Sequence, residues 1–168
     1  MTSTSAITVG NIGGPRLTLG FDRFDRLDLS RHLAVHGKLH TPVLEDLVKM
    51  CEQVDLRGRG GAGFPFARKL MAVASGIRYP SADPASLLPG EEQDGRRDSE
   101  DAVVVVNGAE GEPASYKDKV LLTRAPHLVL DGAEIAATAL GTRRIVVAVE
   151  SEEAARSVRA AITERRMP

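Results

Sequence analysis

One cysteine, no tryptophan and a net charge near zero exclude several classes of protein together. Cys51 is the single cysteine of the 168-residue chain. An internal disulfide is therefore impossible, and one thiolate cannot by itself hold a structural zinc or an iron–sulfur cluster. Aromatic residues make up only 4% of the chain against 42% hydrophobic residues, so a core must be built from Ala, Val, Leu and Ile. The formal charge of -1 offers no broad basic surface for nucleic acid or an anionic membrane. No run reaches the roughly 20 apolar residues that a spanning helix needs. The opening MTSTSAITVG lacks the basic region and long apolar stretch of a secretory signal, which makes the cytoplasm the expected compartment.

What the chain does have is glycine and arginine, concentrated at Leu56–Lys69, LRGRGGAGFPFARK. Glycine allows positive φ and close approach of the backbone to a ligand. Successive N–H groups can then converge on an anion, with Arg57, Arg59, Arg68 and Lys69 supplying positive charge. Ala67–Ser75 reads as a helix whose positive end faces this turn. Gly58, Gly60 and Gly63 also spell G-x-G-x-x-G, but the dinucleotide loop of that pattern follows a buried strand, and this one follows an amphipathic helical pattern. A plain glycine linker is the bland alternative, although linkers are seldom bracketed by Arg and Phe-Pro.

Residues 1–40 read as an N-terminal extension, with a frayed tail at 1–5 and turns from Ile7 to Phe21. In FDRFDRLDLSRHLAVHG, Asp and Arg alternate around Phe21, Phe24, Leu27 and Leu29, the pattern of a solvated charged face. His32, His36 and His40 are four apart, as helical metal ligands can be, yet Gly37 interrupts them and no thiol or carboxylate completes the set. Packing or surface histidines are the expectation, with no metal. Thr41-Pro42 resembles a helix start, followed by Val43, Leu47, Cys51 and Val54 on one stripe, which assigns Cys51 to core packing. Residues 80–101 read as a long surface loop or insertion.

The pattern then changes. Ala102–Val106 is a continuous β-prone run expected to be covered on both faces. A helix over Pro126–Leu140 closed by Gly141 follows, then a strand over Ile145–Val149 and a final helix capped by Ser151. The order implies an α/β fold with a Rossmann-like parallel sheet and flanking helices over residues 41–168. Two strands do not complete such a sheet, so the domain is expected to be truncated.

Between the first strand and its helix lies Asn107–Lys119, NGAEGEPASYKDK, at the carboxyl end of a strand, where ligands bind in parallel sheets. Asn107 is both donor and acceptor, Gly108 and Gly111 admit close approach, and Glu110 and Glu112 are paired acids. They suit proton handling, a divalent cation or hydrogen bonds to a heterocycle. A solvated acidic turn is the equal alternative.

GRGGAGFP followed by N-G-A-E-G-E-P-x-x-x-K-D-K resembles the FMN-binding flavoprotein subunit of respiratory complex I and of NAD-linked hydrogenases and formate dehydrogenases, with NGAE-x-EP also similar to the Rnf C subunit. The resemblance covers roughly residues 39–164. It implies hydride transfer from NADH to FMN in a Rossmann-like domain at the edge of a membrane complex. By position, it implies that Gly58, Arg59, Gly60 and Gly61 wrap the flavin phosphate and ribityl chain and that Lys69 reaches the flavin side. It further implies that Asn107 and Glu110 hold the flavin from the second turn, that Phe64 stacks on the NADH adenine, and that Glu112 lies by the nicotinamide. Departures are Ala109 where the family carries an acid, Ala72 near an expected aromatic, and Phe66 in place of a small residue. The family's Gly-Glu-Glu loop and cluster-binding cysteines have no counterpart here. Electrons are therefore expected to leave through iron–sulfur centres of a partner or a missing C-terminal half. The alternatives are a non-catalytic remnant serving as an assembly module and a nucleotide binder without redox chemistry.

Overall fold

The computed structural model describes residues 16–58, 62–76, 102–111 and 115–165. The expected tail at 1–5, the loop at 80–101, and Arg59, Gly60, Gly61 and Glu112 lie outside them. The described chain divides into two compact units. One, the cradle unit, comprises 39–107 and 130–148. The other, the terminal unit, comprises 16–38, 108–129 and 149–165.

In the cradle unit, α2 (Leu44–Gln53) and α3 (Phe66–Ala74) pack on each other around Leu47, Cys51, Ala67 and Leu70. Leu44, Val48, Phe66, Ile135, Ala139 and Leu140 complete this core. Cys51 is a packing residue as expected, and burial pushes its thiol pKa upward. The helix start differs from expectation: Val43 is the cap residue, with no side-chain cap bond. Thr41-Pro42 stands two residues too early, because the shared core begins at Leu44. Val43 and Val54 are exposed, so the buried stripe is narrower than the sequence pattern.

The sheet pairs two parallel strands, β1 (Val104–Gly108) and β2 (Ile145–Val149), with Val104 N–H bonding the Arg144 carbonyl at 2.9 Å. Thr142 braces its entrance by donating to the Ala102 carbonyl and accepting from Arg144 N–H. Coverage on both faces is not observed among the described residues. Val104 and Val106 are half-buried while Val105 is 61% exposed, and Val146 is exposed likewise. A two-residue side-chain period sends alternate valines to opposite faces, and here one face is open. α5 (Pro126–Ala139) leads from the terminal unit into the cradle unit, and Gly141 follows with φ of 69°.

The terminal unit contains α1 (Leu29–His36), α4 (Lys117–Arg124) and α6 (Glu152–Arg165). α6 buries Ala154, Ser157, Val158 and Ala161, a helical i, i+3, i+4, i+7 face. Ser151 caps it by accepting from Ala154 N–H at 3.1 Å, as expected. The Asp/Arg alternation does more than solvate a surface. Asp28 caps α1, Arg26 reaches Ser157 and Glu164 on α6, and Arg124 gathers the carbonyls of Phe21, Phe24 and Asp25. Gly20 is required at its turn: its φ is 88°, and a Cβ would stand 3.3 Å from both Leu27 and Val35. α1 ends at His36, so His40 is not on its face. Among the described residues no cluster of three or more His, Cys, Asp or Glu could hold a metal, and no helix is long and apolar enough to cross a membrane.

Leu70→Ala is expected to cost about 2–5 kcal/mol, the transfer and cavity cost of truncating a buried leucine. The same change should make Cys51, slow to react with a disulfide reagent in the folded protein, react faster. Denaturant titration and thiol modification rates check both.

Candidate functional site

Three backbone bonds fix the two limbs of the glycine turn. Leu56 N–H donates to the Cys51 carbonyl at 2.8 Å, Phe66 N–H to the Leu56 carbonyl at 2.9 Å, and Gly58 N–H to the Phe64 carbonyl at 2.9 Å. Arg57 and Pro65 form an antiparallel bridge between them. The turn leaves α2 through Asp55, which adopts φ of 45°, and returns through Gly63 at 53°. Asp55 is held there by Arg57, whose Nε lies 2.8 and 2.9 Å from the two carboxylate oxygens. The hydrogen bond from Arg57 holds the Asp55 carboxyl below its usual range. Arg57 therefore braces the turn, and its charge is already matched.

Above these limbs is a cavity of about 410 Å³ lined by Gly58, Phe64, Phe66 and Lys69. Its size falls in the range of roughly 300–1,000 Å³ common for small-molecule sites. Phe64 and Lys69 are exposed and Phe66 is half-buried. Lys69 has no ion-pair partner among the described residues. A Cβ on Gly58 would meet Phe64 only at 3.8 Å, an ordinary contact, so local packing does not demand a glycine there. Two aromatic walls, an unmatched ammonium and a bare backbone rim fit a planar heterocycle that carries an anionic tail. The structure thus gathers Gly58, Phe64 and Lys69 at one cavity.

Asn107 is exposed near the carboxyl end of β1, on the same open side as Val105. Beyond it, Gly108 and Glu110 belong to the terminal unit. Glu110 is turned inward, with its side chain only 7% exposed. It accepts from the Ser115 hydroxyl, from Lys117 Nζ at 3.4 Å, and from the backbone N–H groups of Asp118 and Lys119 at 3.3 and 3.5 Å. The carboxylate thus caps the open amides at the start of α4, where the helix dipole favours negative charge. Burial would raise its pKa, but the bonds from Ser115, Asp118, Lys119 and Lys117 outweigh it and hold the group below its usual range.

Sequence reasoning missed Phe66 as a wall of the cavity, the Asp55–Arg57 brace, and Ser115 and Lys117 as partners of Glu110. For the cap the only available signal was an acid before Lys117-Asp118-Lys119, since a capping acid seven residues upstream of its helix matches no local capping pattern.

Comparison with known proteins bears on this geometry. The family model described as the Nuo51 FMN-binding domain matches residues 51–168. The chain is 36% identical over 108 residues to the alpha chain of the NAD-reducing hydrogenase HoxS of Cupriavidus necator, covering 64% of this chain and 14% of that protein. It is 33% identical over 122 residues to the F chain of NADH-quinone oxidoreductase of Escherichia coli, covering 71% and 23%. To the F 2 chain of the same enzyme of Rhizobium meliloti it is 29% identical over 113 residues, covering 67% and 21%. The chain thus spans a quarter or less of the length of these relatives. With the family model matching most of its length and taking in both turns, the chain belongs to the Nuo51 FMN-binding domain family.

Proposed function

We propose that this chain is the FMN-binding part of an NADH-oxidising flavoprotein, with hydride passing from NADH to FMN and electrons leaving through iron–sulfur centres of a partner or of a further domain. The observation that carries the reading is the cavity of Gly58, Phe64, Phe66 and Lys69 on a braced glycine turn. Its membership of a flavin-binding family supports it. When bound, FMN supplies the hydride acceptor and the means of releasing electrons one at a time. The protein's part is to bind, orient and exclude.

In this reading Gly58, Arg59, Gly60 and Gly61 close on the flavin phosphate and ribityl chain, where absent side chains let backbone N–H groups converge. Lys69 meets the flavin from its exposed place in the first turn of α3. Asn107 contacts it from the carboxyl end of β1, where parallel sheets bind ligands. Glu110 serves the flavin by shaping the second turn, since its oxygens already serve α4. Phe64 gives the NADH adenine a ring to stack on, and Glu112 stands by the nicotinamide as the residue assigned to the reacting end. The chain's one cysteine is buried, so in this reading the electron path runs to a partner or to a further domain.

FMN added to the full chain is expected to give saturable quenching of flavin fluorescence. Absence of any saturable change, with or without an iron–sulfur partner, would leave the assembly module as the reading. Lys69→Ala should weaken FMN by roughly 10- to 100-fold, the worth of one hydrogen bond to a charged group, with little change in melting temperature because Lys69 is exposed. Glu110→Gln should lower FMN affinity and speed hydrogen exchange at the Asp118 and Lys119 amides. Retained protection at those amides would mean that Glu110 is not the cap. Because the folded pKa of Glu110 is lowered, its stabilisation is present above the usual carboxylate range and lost as pH falls through the folded value. The variant should therefore differ most from the parent near neutral pH.

A further inference from the structure

The terminal unit holds a buried polar cluster that the flavin reading does not use. His127, in the first turn of α5, is fully buried, and both ring nitrogens meet charged residues in the last turn of α6. Nε2 lies 2.8 Å from Oε2 of Glu164, and Nε of Arg165 lies 2.9 Å from Nδ1. An arginine N–H can only donate. Nδ1 must therefore accept, and the single proton of the neutral ring sits on Nε2, from which it is donated to Glu164. Arg165 adds a bond from Nη2 to the His127 carbonyl at 2.7 Å.

Other elements close around the cluster. Glu164 also accepts from Arg26 Nη1 at 2.9 Å and from the Leu29 backbone N–H at 2.9 Å. From α1, the His32 ring stands 5.5 Å from that of His127 and 5.0 Å from that of His36. Among the described residues, the charged and titratable groups facing His127 are thus Glu164 and Arg165 from α6, and His32 from α1 with His36 behind it. Arg26 acts through Glu164.

We propose that His127, Glu164 and Arg165 form a proton-operated clasp, in which neutral His127 ties the end of α6 to the start of α5 and a proton on Nδ1 releases Arg165. Protonation would set two N–H donors face to face and place an imidazolium against a guanidinium, while the bond from Nε2 to Glu164 survives. The inference stands apart from the flavin assignment, but it reaches the same region. Ser157 of α6 donates to the Thr123 carbonyl of α4 at 2.9 Å, and α4 is the helix that Glu110 caps. Loosening the end of α6 therefore weakens the footing of the second turn.

The direction of the pH effect follows from the surroundings. Burial disfavours the imidazolium most, Glu164 works against burial, and Arg165 and His32 reinforce it, so the His127 pKa lies below its ordinary 6.5. As pH falls below 6.5 the unfolded chain takes up this proton before the folded one does, so stability declines from that point toward the folded value. Burial would raise Glu164, but the bonds from His127, Arg26 and the Leu29 amide outweigh it, so its own contribution is lost only below 4.5.

Nitrogen-15 NMR of the imidazoles in the full chain, from pH 8 to 5, tests the clasp. The expected result is an Nε2–H tautomer at pH 8, a His127 midpoint below 6.5, and loss of the protected Arg165 Nε–H signal through the same midpoint. An Nδ1–H tautomer, or a midpoint at or above 6.5, overturns the proposal. Arg165→Met provides a second readout. Its melting temperature should lie below that of the parent at pH 8, and the gap should narrow as pH falls below 6.5 and the parent's clasp opens. Parallel melting curves at every pH would mean a purely structural arginine and would also overturn it.

Discussion

The cradle depends on two helices sharing one small core across a turn that must stay open. α2 ends and α3 begins within a dozen residues, and Cys51, Ala67 and Leu70 occupy the same cluster. That shared burial fixes where the limbs of the turn can go. The bonds from the Gly58 and Phe66 amides then hold the limbs as an antiparallel pair, and the Leu56 amide ties the first limb back to Cys51. Hydrogen bonding between the limbs satisfies backbone groups that a glycine-rich loop would otherwise leave to water. The same frame places Phe64, Phe66 and Lys69 around a single hollow. The cavity is thus a consequence of helix packing, and a loss of core volume is felt at the site.

Charge is divided between frame and ligand. Arg57 is matched by Asp55, Arg26 by Glu164, and Lys117 by Asp118 and Glu110. Arg124 is taken up by three backbone carbonyls. These groups set loop shapes, which is a use of charge that survives ligand loss. Lys69 is in a different position, exposed and without an ion pair among the described residues. An anion arriving beside it would gain attraction without first breaking a pair.

Element order was legible in the sequence because hydrophobic period and caps are local signals. The helix before the glycine turn, Ile145–Val149 as a strand and Ser151 as a cap all follow from short-range pattern. The ends of elements were less legible. β1 begins two residues later than Ala102 and runs on through Gly108, because register is set by its pairing with β2 and not by the valine run alone. Gly58, Phe64 and Lys69 could be assigned to one site since they lie within a single local motif. The role of Glu110 could not. Its type and position suggested a ligand, while its partners, Ser115 through Lys119, are decided by how the turn folds back on α4. The His127–Glu164–Arg165 cluster was invisible for the same reason, joining residues 37 and 38 positions apart.

The scarcity of aromatics has a structural counterpart that composition alone does not reveal. None of the four phenylalanines belongs to the fully buried core, which consists of Ala, Leu, Val and Cys. Phe64 and Phe66 line the cavity, and Phe21 and Phe24 lie beneath the guanidinium groups of Arg124 and Arg31 at 4.3 and 4.7 Å. Each ring therefore presents a face to a cation or to open space. Ala133, Ala137, Ala154 and Ala161 are all buried, so small side chains supply much of the core. In the cradle unit both rings line the hollow, Phe66 while also packing against the shared helix core. Two of the chain's four phenylalanines thus stand at one glycine turn, where an open ring face is free to stack.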